Sequence, residues 1–166
     1  MRGNAAGPWF GTAARLVLGG VLVVAGALKA ADPAAAVRAV RAYRLLAESF
    51  VGPVAFGLPV IEIAVGVALL SGVFVRTAAL AAAVLFAAFL VAIGSVWARG
   101  LQIDCGCFGD GGEVAAGQTA YPLEVLRDGA LFLLALALAR RPASRLALGG
   151  QPVAGSIDRK EVSRAR

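Results

Sequence analysis

The sequence predicts an all-α integral membrane protein: a four-helix bundle with a short interfacial helix between helices 1 and 2. Of its 166 residues, 60% are hydrophobic and 16% are charged, whereas a soluble domain has about 25% charged residues. The mean hydropathy is +0.82. This length suits one compact membrane domain, so we expect the function to reside in the helices or in the loops between them.

Four apolar segments carry the bundle prediction, because a membrane-spanning helix needs about 20 mainly apolar residues. The first holds Arg15 and Lys29 near its two ends, where both side chains can extend toward an interface. Its apolar run is long and has no separate cleavage site, so we expect no cleaved signal peptide. The four segments are residues 9–30, 51–74, 77–98 and 121–139, within a membrane domain at 9–140.

The second and fourth segments contain ionisable residues at membrane depth. Glu62 follows Pro59 in the second segment, where a charge costs at least about 2.5 to 3.5 kcal/mol and must be neutralised, paired or hydrated. Glu124, Arg127 and Asp128 share one helix face through their spacing. We expect Arg127 to be the counter-ion of its neighbours and of Glu62. Both a register-fixing ion pair and a proton-handling role fit these residues.

Basic residues predict the orientation of the helices, since short cytoplasmic loops are enriched in Lys and Arg. Arg2 precedes the first helix, Arg76 lies between the second and third, and further arginines follow the fourth. We therefore assign residues 1–8 and a disordered tail at 141–166 to the cytoplasmic side of a bacterial cell membrane. With four spans, the loop at 99–120 lies on the extracytoplasmic side.

The segment between the first two spans carries arginines on that same outer side. Their spacing of three residues predicts a short amphipathic helix that lies in the interface and contacts membrane lipid. The arginines are Arg38, Arg41 and Arg44, interleaved with Val37, Val40, Tyr43 and Leu45. Although the formal net charge is +6, the basic residues stand mostly at the ends of apolar segments and in the tail, so we expect no nucleic-acid partner.

Both cysteines of the chain lie in the extracytoplasmic loop, as Cys105 and Cys107. Disulfides persist on that side of a membrane, and a Cys-Gly-Cys bridge requires the chain to turn at Gly106. So small a ring stabilises a fold weakly but exchanges readily. We therefore predict a redox pair. A bridge to another subunit, half of a shared four-thiolate metal site and an inert local clip remain alternatives.

The composition also limits the cofactors. The chain has no histidine, and its single methionine is the first residue, which removes the commonest ligands for zinc, copper and haem. We expect no metal site within one chain. The protonation state of the thiols depends on which charged groups the fold places beside them. Asp104 next to Cys105 raises a thiol pKa, whereas Arg99 or Arg127, if either lies close to a thiol, lowers it.

Four groups of residues resemble those of a known family. They are Arg15-Leu16 with Gly19, Gly26 and Lys29; Leu58-Pro59-Val60-Ile61-Glu62 with Gly66 and Leu69-Leu70; Asp104-Cys105-Gly106-Cys107-Phe108-Gly109; and Arg127-Asp128. On these residues the chain resembles the MauE-type methylamine-utilisation membrane proteins, among the DoxX-like four-helix proteins. The resemblance runs from about residue 11 to residue 141, and the cysteine loop is its most specific part.

The resemblance implies a membrane component that acts with an extracytoplasmic thioredoxin-like partner in maturing a disulfide-rich subunit of methylamine dehydrogenase. Many relatives look like general redox-associated proteins, so thiol/disulfide exchange through Cys105 and Cys107 is the part we expect to transfer. Asp104, Gly106, Phe108 and Gly109 would be its supporting residues.

Three other functions compete with exchange. A thiol-quinone oxidoreductase would make quinone the one cofactor, but such enzymes relay electrons through a second cysteine pair, and this chain has two cysteines in all. A non-catalytic assembly or scaffold protein would use the loop for docking alone. A transporter using Glu62 is the weakest alternative, since the chain shows no inverted repeat.

Overall fold

A computed structural model describes residues 6–107 and 111–140 of the chain. The predicted tail at 141–166, residues 1–5 and the loop residues Phe108, Gly109 and Asp110 lie outside the described residues. Within the described ranges the chain forms five helices and a two-stranded sheet. In order, these are α1 Ala6–Ala31, α2 Pro33–Ala42, α3 Glu48–Ser71, α4 Val75–Ala98, β1 Ile103–Asp104, β2 Gly112–Glu113 and α5 Tyr121–Arg140.

Three of these helices are long and apolar enough to cross a membrane: the part of α1 at Trp9–Ala31, α3 and α4. The predicted class, an all-α integral membrane protein, is confirmed. Helix α5 has 20 residues and therefore a length of about 30 Å. Because Glu124, Arg127 and Asp128 lie in its first half, it is less apolar than the other three, and its crossing stays a prediction.

Local sequence explains where α2 begins and α3 ends. Asp32 precedes α2, and its Oδ1 accepts the N–H of Ala35 at 2.9 Å, which caps the first turn. Gly72 follows α3 with a φ of 74°, the left-handed conformation that glycine adopts at helix ends. Helix α3 therefore stops at Ser71, a little before the end of the apolar segment predicted at 51–74.

Helices α1 and α3 pack with their backbones in contact at glycine. A Cβ atom on Gly19 would lie 2.8 Å from the carbonyl oxygen of Gly66, and one on Gly66 would lie 2.8 Å from that of Gly19. Further along, a Cβ on Gly26 would lie 2.8 Å from the carbonyl oxygen of Pro59. Small residues permit this approach between membrane helices. The contact holds together those ends of α1 and α3 that lie near the cysteine loop.

The apolar core lies between α1, α4 and α5. Alanines on the facing sides of α4 and α5 are fully buried, among them Ala79, Ala82 and Ala135. Leu18 and Leu22 of α1 pack against the same cluster. The alanine-rich composition of α4 thus serves close helix contact, as expected for a membrane bundle.

Arg15 does not extend toward an interface as the sequence suggested. Its side chain is buried, with 2% of the residue exposed. Its Nε donates to the carbonyl oxygen of Leu69 at 2.8 Å and its Nη2 to that of Leu70 at 3.0 Å. These are among the last carbonyls of α3, which lack partners within the helix and attract a cation.

The short helix predicted between the first two long helices is present as α2, and alanines form the face that packs on the protein. The three arginines predicted for this segment are exposed, of which Arg44 lies just after the helix, whereas Val37 and Val40 are half-buried and Leu45 is exposed. The buried alanines, which allow close approach, are Ala35, Ala36, Ala39 and Ala42.

Candidate functional site

The cysteine loop is held above the bundle by a small hairpin. Strands β1 and β2 pair antiparallel, with Ile103 opposite Glu113 and Asp104 opposite Gly112. The hydroxyl of Tyr121, the first residue of α5, accepts the N–H of Ile103 at 3.0 Å and donates to a second backbone group, the carbonyl of Leu101, at 2.6 Å. These bonds tie the hairpin to the start of α5.

The hairpin also lies directly on α2. A Cβ atom on Gly111 would come within 2.5 Å of the Cβ of Ala39 and 2.8 Å of the Cα of Gly106. Just after α2, Arg44 pairs with Glu113 of the hairpin at the surface, with 2.7 Å between Nη2 and Oε1. Helix α2 therefore serves as a support for the cysteine loop.

The two cysteines lie on either side of a tight turn and are free thiols. Gly106 has a φ of 66°, a conformation that suits glycine. Its N–H donates to Asp104 Oδ1 at 2.9 Å, and the N–H of Cys107 donates to Cys105 Sγ at 3.3 Å. The predicted pair and its supporting residues Asp104 and Gly106 therefore form one compact group.

Cys105 and Cys107 differ in exposure. Cys105 is half-buried, whereas Cys107 is 8% exposed. The side-chain hydrogen bond with Cys105 and then burial raise the pKa of the Cys107 thiol. Since the thiolate is the nucleophile, Cys105 is the better placed of the two to attack a partner.

Two side chains anchor the backbone of the cysteine turn. Tyr43, at the end of α2, donates its hydroxyl to the carbonyl of Cys105 at 3.0 Å. Burial, followed by the nearby Cys107, raises the pKa of this phenol. Lys29 of α1 donates to the carbonyl of Cys107 at 3.1 Å. The turn is thus fixed from the interfacial helix and from within the bundle.

Lys29 is also the partner of Glu62, so the expectation that Arg127 would pair with Glu62 is wrong. Lys29 Nζ lies 2.9 Å from Glu62 Oε1 and 3.0 Å from Oε2. Both residues are buried, and the ammonium also lies 5.7 Å from the ring centre of Phe89. Lys29 therefore points inward and not toward an interface. The close approach of α1 and α3 beside Gly26 explains why this pair forms.

Arg127 instead turns toward its own helix and the thiols. Its Nε donates to Asp128 Oδ1 at 2.8 Å, as expected for its neighbour, and its Nη2 lies 4.0 Å from Cys105 Sγ. Arg99, the other cation considered for the thiols, donates to the carbonyl of Tyr43 at 2.6 Å. Of these two arginines, Arg127 is therefore the one that the fold brings to a cysteine sulfur.

Glu124 completes the group beneath the turn. Its carboxylate, that of Asp104 and the Cys105 sulfur have ligand atoms within 4.8 Å of one another. The sequence places Glu124 at the start of the fourth predicted membrane helix, just below the cysteine loop, but its grouping with Asp104 and Cys105 is a tertiary contact that spacing does not reveal. A cation fits this set poorly, since the Arg127 guanidinium stands beside the same sulfur and like charges repel. We assign no metal to it.

Comparisons with known proteins identify the family of this chain. Residues 7–141 match the family model described as "Methylamine utilisation protein MauE". The "Methylamine utilization protein MauE" of Paracoccus denitrificans is 43% identical over 101 residues, which are 60% of this chain and 52% of that protein. The chain thus spans about half the length of this curated relative, and no solved structure matches it. Because the family model covers most of the sequence, including the cysteine loop, the chain belongs to the MauE family.

Proposed function

We propose that this protein exchanges thiol/disulfide equivalents through Cys105 and Cys107 with an extracytoplasmic thioredoxin-like partner. The observation that carries the proposal is the cysteine turn itself: the N–H of Cys107 bonds to the Cys105 sulfur at 3.3 Å, and Cys105 is the more exposed thiol. Two neighbouring thiols of unequal exposure suit an attacking and a resolving role.

The exchange needs no oxidant or reductant other than the partner's own disulfide or dithiol. The Cys105 thiolate attacks one sulfur of the partner's disulfide, which forms a mixed disulfide and releases the other sulfur as a thiolate. Cys107 then attacks Cys105 Sγ, closes the Cys105–Cys107 bond and releases the first sulfur. Two electrons pass to the partner, and the two thiol protons end on its sulfurs. The reverse sequence oxidises the partner.

The proposed location is extracytoplasmic. Helix α5 has 20 residues, and its length of about 30 Å equals the thickness of the hydrocarbon core. With four crossings the cysteine loop lies opposite both termini, in a compartment where disulfides persist. The name of the Paracoccus denitrificans relative supports a role in methylamine utilisation, through maturation of disulfide-containing extracytoplasmic proteins.

Trapping tests the exchange. Cys107→Ser removes the resolving thiol, so we expect Cys105 to accumulate a mixed disulfide with its partner, seen as a reductant-sensitive adduct on non-reducing gels. The matched control Cys105→Ser keeps only the buried thiol and should give far less adduct, and the double variant should give none. Failure to trap any partner, under both oxidising and reducing conditions, contradicts the proposal.

A scaffold role is the second candidate, because the loop is unusually well anchored. Tyr43, Lys29 and Tyr121 all bond its backbone, and Cys107 is buried, as suits a rigid docking surface. If the double variant Cys105→Ser, Cys107→Ser complements a deletion strain fully, the scaffold role is supported. Loss of function in that variant, when it accumulates normally in the membrane, supports exchange.

A further inference from the structure

Two buried carboxylates of α5 each have an oxygen atom with unused hydrogen-bonding capacity. Glu124 and Asp128 are 6% and 2% exposed. Within residues 6–107 and 111–140, Glu124 Oε2 and Asp128 Oδ2 have no hydrogen-bond partner. Buried polar atoms are nearly always bonded, and leaving one unpaired costs about 1 to 3 kcal/mol. Such a pair, one helical turn apart on one face, points to a functional requirement.

Each carboxylate faces a different thiol. A carboxylate oxygen of Glu124 lies within 4.8 Å of Cys105 Sγ. Asp128 and Cys107 line one cavity of ≈ 10 Å³, a space for about one water molecule. Arg127 donates to Asp128 Oδ1 at 2.8 Å and so holds that carboxylate at the cavity.

We propose that Glu124 accepts the proton of Cys105, and that Asp128 accepts the proton of Cys107 across this cavity. The inference rests on the proposed exchange and adds how the two thiols become nucleophiles. In each transfer S–H and carboxylate become thiolate and carboxylic acid, and the acid then gives the proton to the partner sulfur that leaves as a thiolate, which restores the carboxylate. A dithiol that closes to a disulfide gives up two protons, and this platform provides two acceptors.

Whether removal of a carboxylate slows or speeds thiol exchange distinguishes proton transfer from a purely electrostatic effect of its charge. A carboxylate that is only a charged neighbour disfavours the thiolate, so its removal would speed exchange. A carboxylate that accepts the thiol proton promotes exchange, so its removal slows it. The other titratable groups near the two thiols are Asp104 of the hairpin, Tyr43 at the end of α2, Lys29 of α1, Glu62 of α3 and Arg127 of α5.

The test uses full-length single-thiol proteins in detergent and a chromogenic aromatic disulfide, with the exchange rate followed by absorbance across pH. In the Cys107→Ser protein, Glu124→Gln should slow Cys105 by about tenfold or more near neutral pH. This is below the roughly 10²-fold at which general base effects usually begin, because thiols also ionise unaided. In the Cys105→Ser protein, Asp128→Asn should slow Cys107 similarly. Glu124→Asp should restore part of the Cys105 rate.

The crossed combinations are the controls for folding. Asp128→Asn should change the Cys105 rate several-fold less than the Cys107 rate, because it reaches Cys105 only through Arg127. Glu124→Gln should likewise change the Cys107 rate several-fold less than the Cys105 rate, and the less affected thiol shows that each variant keeps its site. Faster exchange, unchanged rates, or equal effects on both thiols would overturn the assignment. Because the probe is a small disulfide, these outcomes are independent of partner trapping, so the proton assignment and the proposed exchange can fail separately.

Discussion

At the scale of single residues, Lys29 connects the membrane interior to the cysteine turn. Its ammonium donates to both oxygens of Glu62 and to the carbonyl of Cys107, so one buried cation satisfies a carboxylate and a loop backbone group. Breaking a buried pair leaves an uncompensated charge, which costs about 3 to 5 kcal/mol, whereas replacing both partners by apolar residues is often tolerated.

We therefore predict that Lys29→Met and Glu62→Leu each destabilise the protein strongly, by about 3 kcal/mol or more, and that the double variant regains most of the loss. Unfolding in detergent by heat or denaturant measures this. Arg44→Gln is the control, because its pair with Glu113 is exposed and should contribute little. A double variant as unstable as the sum of the single ones would show that the two residues do not act as a pair.

Sequence reasoning named the candidate redox residues but not all of their contacts. It predicted the Cys105–Cys107 pair and the ionisable cluster of α5, since these follow from spacing along one segment. It paired Glu62 with Arg127, because the choice between cations on different helices depends on how closely the helices approach. That approach is determined by α1 and α3 meeting at Gly26, a tertiary contact that spacing does not reveal.

At the scale of helices, the contact between α1 and α3 depends on positions where no side chain fits. The backbone of Gly66 occupies the space that a Cβ on Gly19 would need, whereas a Cβ on the adjacent Gly20 would have no atom within 4 Å. The small size of the glycines in α1 favours close helix contact, but the sequence does not show which residue of another helix each of them meets.

We predict that Gly19→Ala destabilises the bundle by about 1 to 3 kcal/mol through overpacking against a backbone atom. Gly20→Ala, one residue away, should be neutral or stabilising by up to about 1 kcal/mol, since alanine is the better helix former. Thermal unfolding of the two purified variants provides the comparison. Equal melting temperatures would contradict a direct backbone contact at Gly19.

At the scale of the whole molecule, the arginines near the cysteine loop are compatible with an extracytoplasmic location of that loop, because carboxylates neutralise their charge. Arg38, Arg41 and Arg44 are paired with Asp32, Glu48 and Glu113, and α2, which carries the first two, supports the loop. Arg76 and Arg140 lie at the other end of the bundle, where α4 begins and α5 ends. This distribution agrees with a cytoplasmic location for that other end.

We predict that the two ends of the bundle lie on opposite sides of the membrane, and the cysteine content makes the test direct. Both cysteines lie in one loop, so the Cys105→Ser, Cys107→Ser protein has no thiol background. When Gln118→Cys is added to that cysteine-free protein, the new thiol in the exposed loop should react with a membrane-impermeant maleimide in intact cells. Arg76→Cys, exposed at the start of α4, should react only after the membrane is permeabilised. The reverse pattern would place the thiols in a reducing compartment, where a stable Cys105–Cys107 disulfide would not persist, and would remove the extracytoplasmic partner from the proposed function.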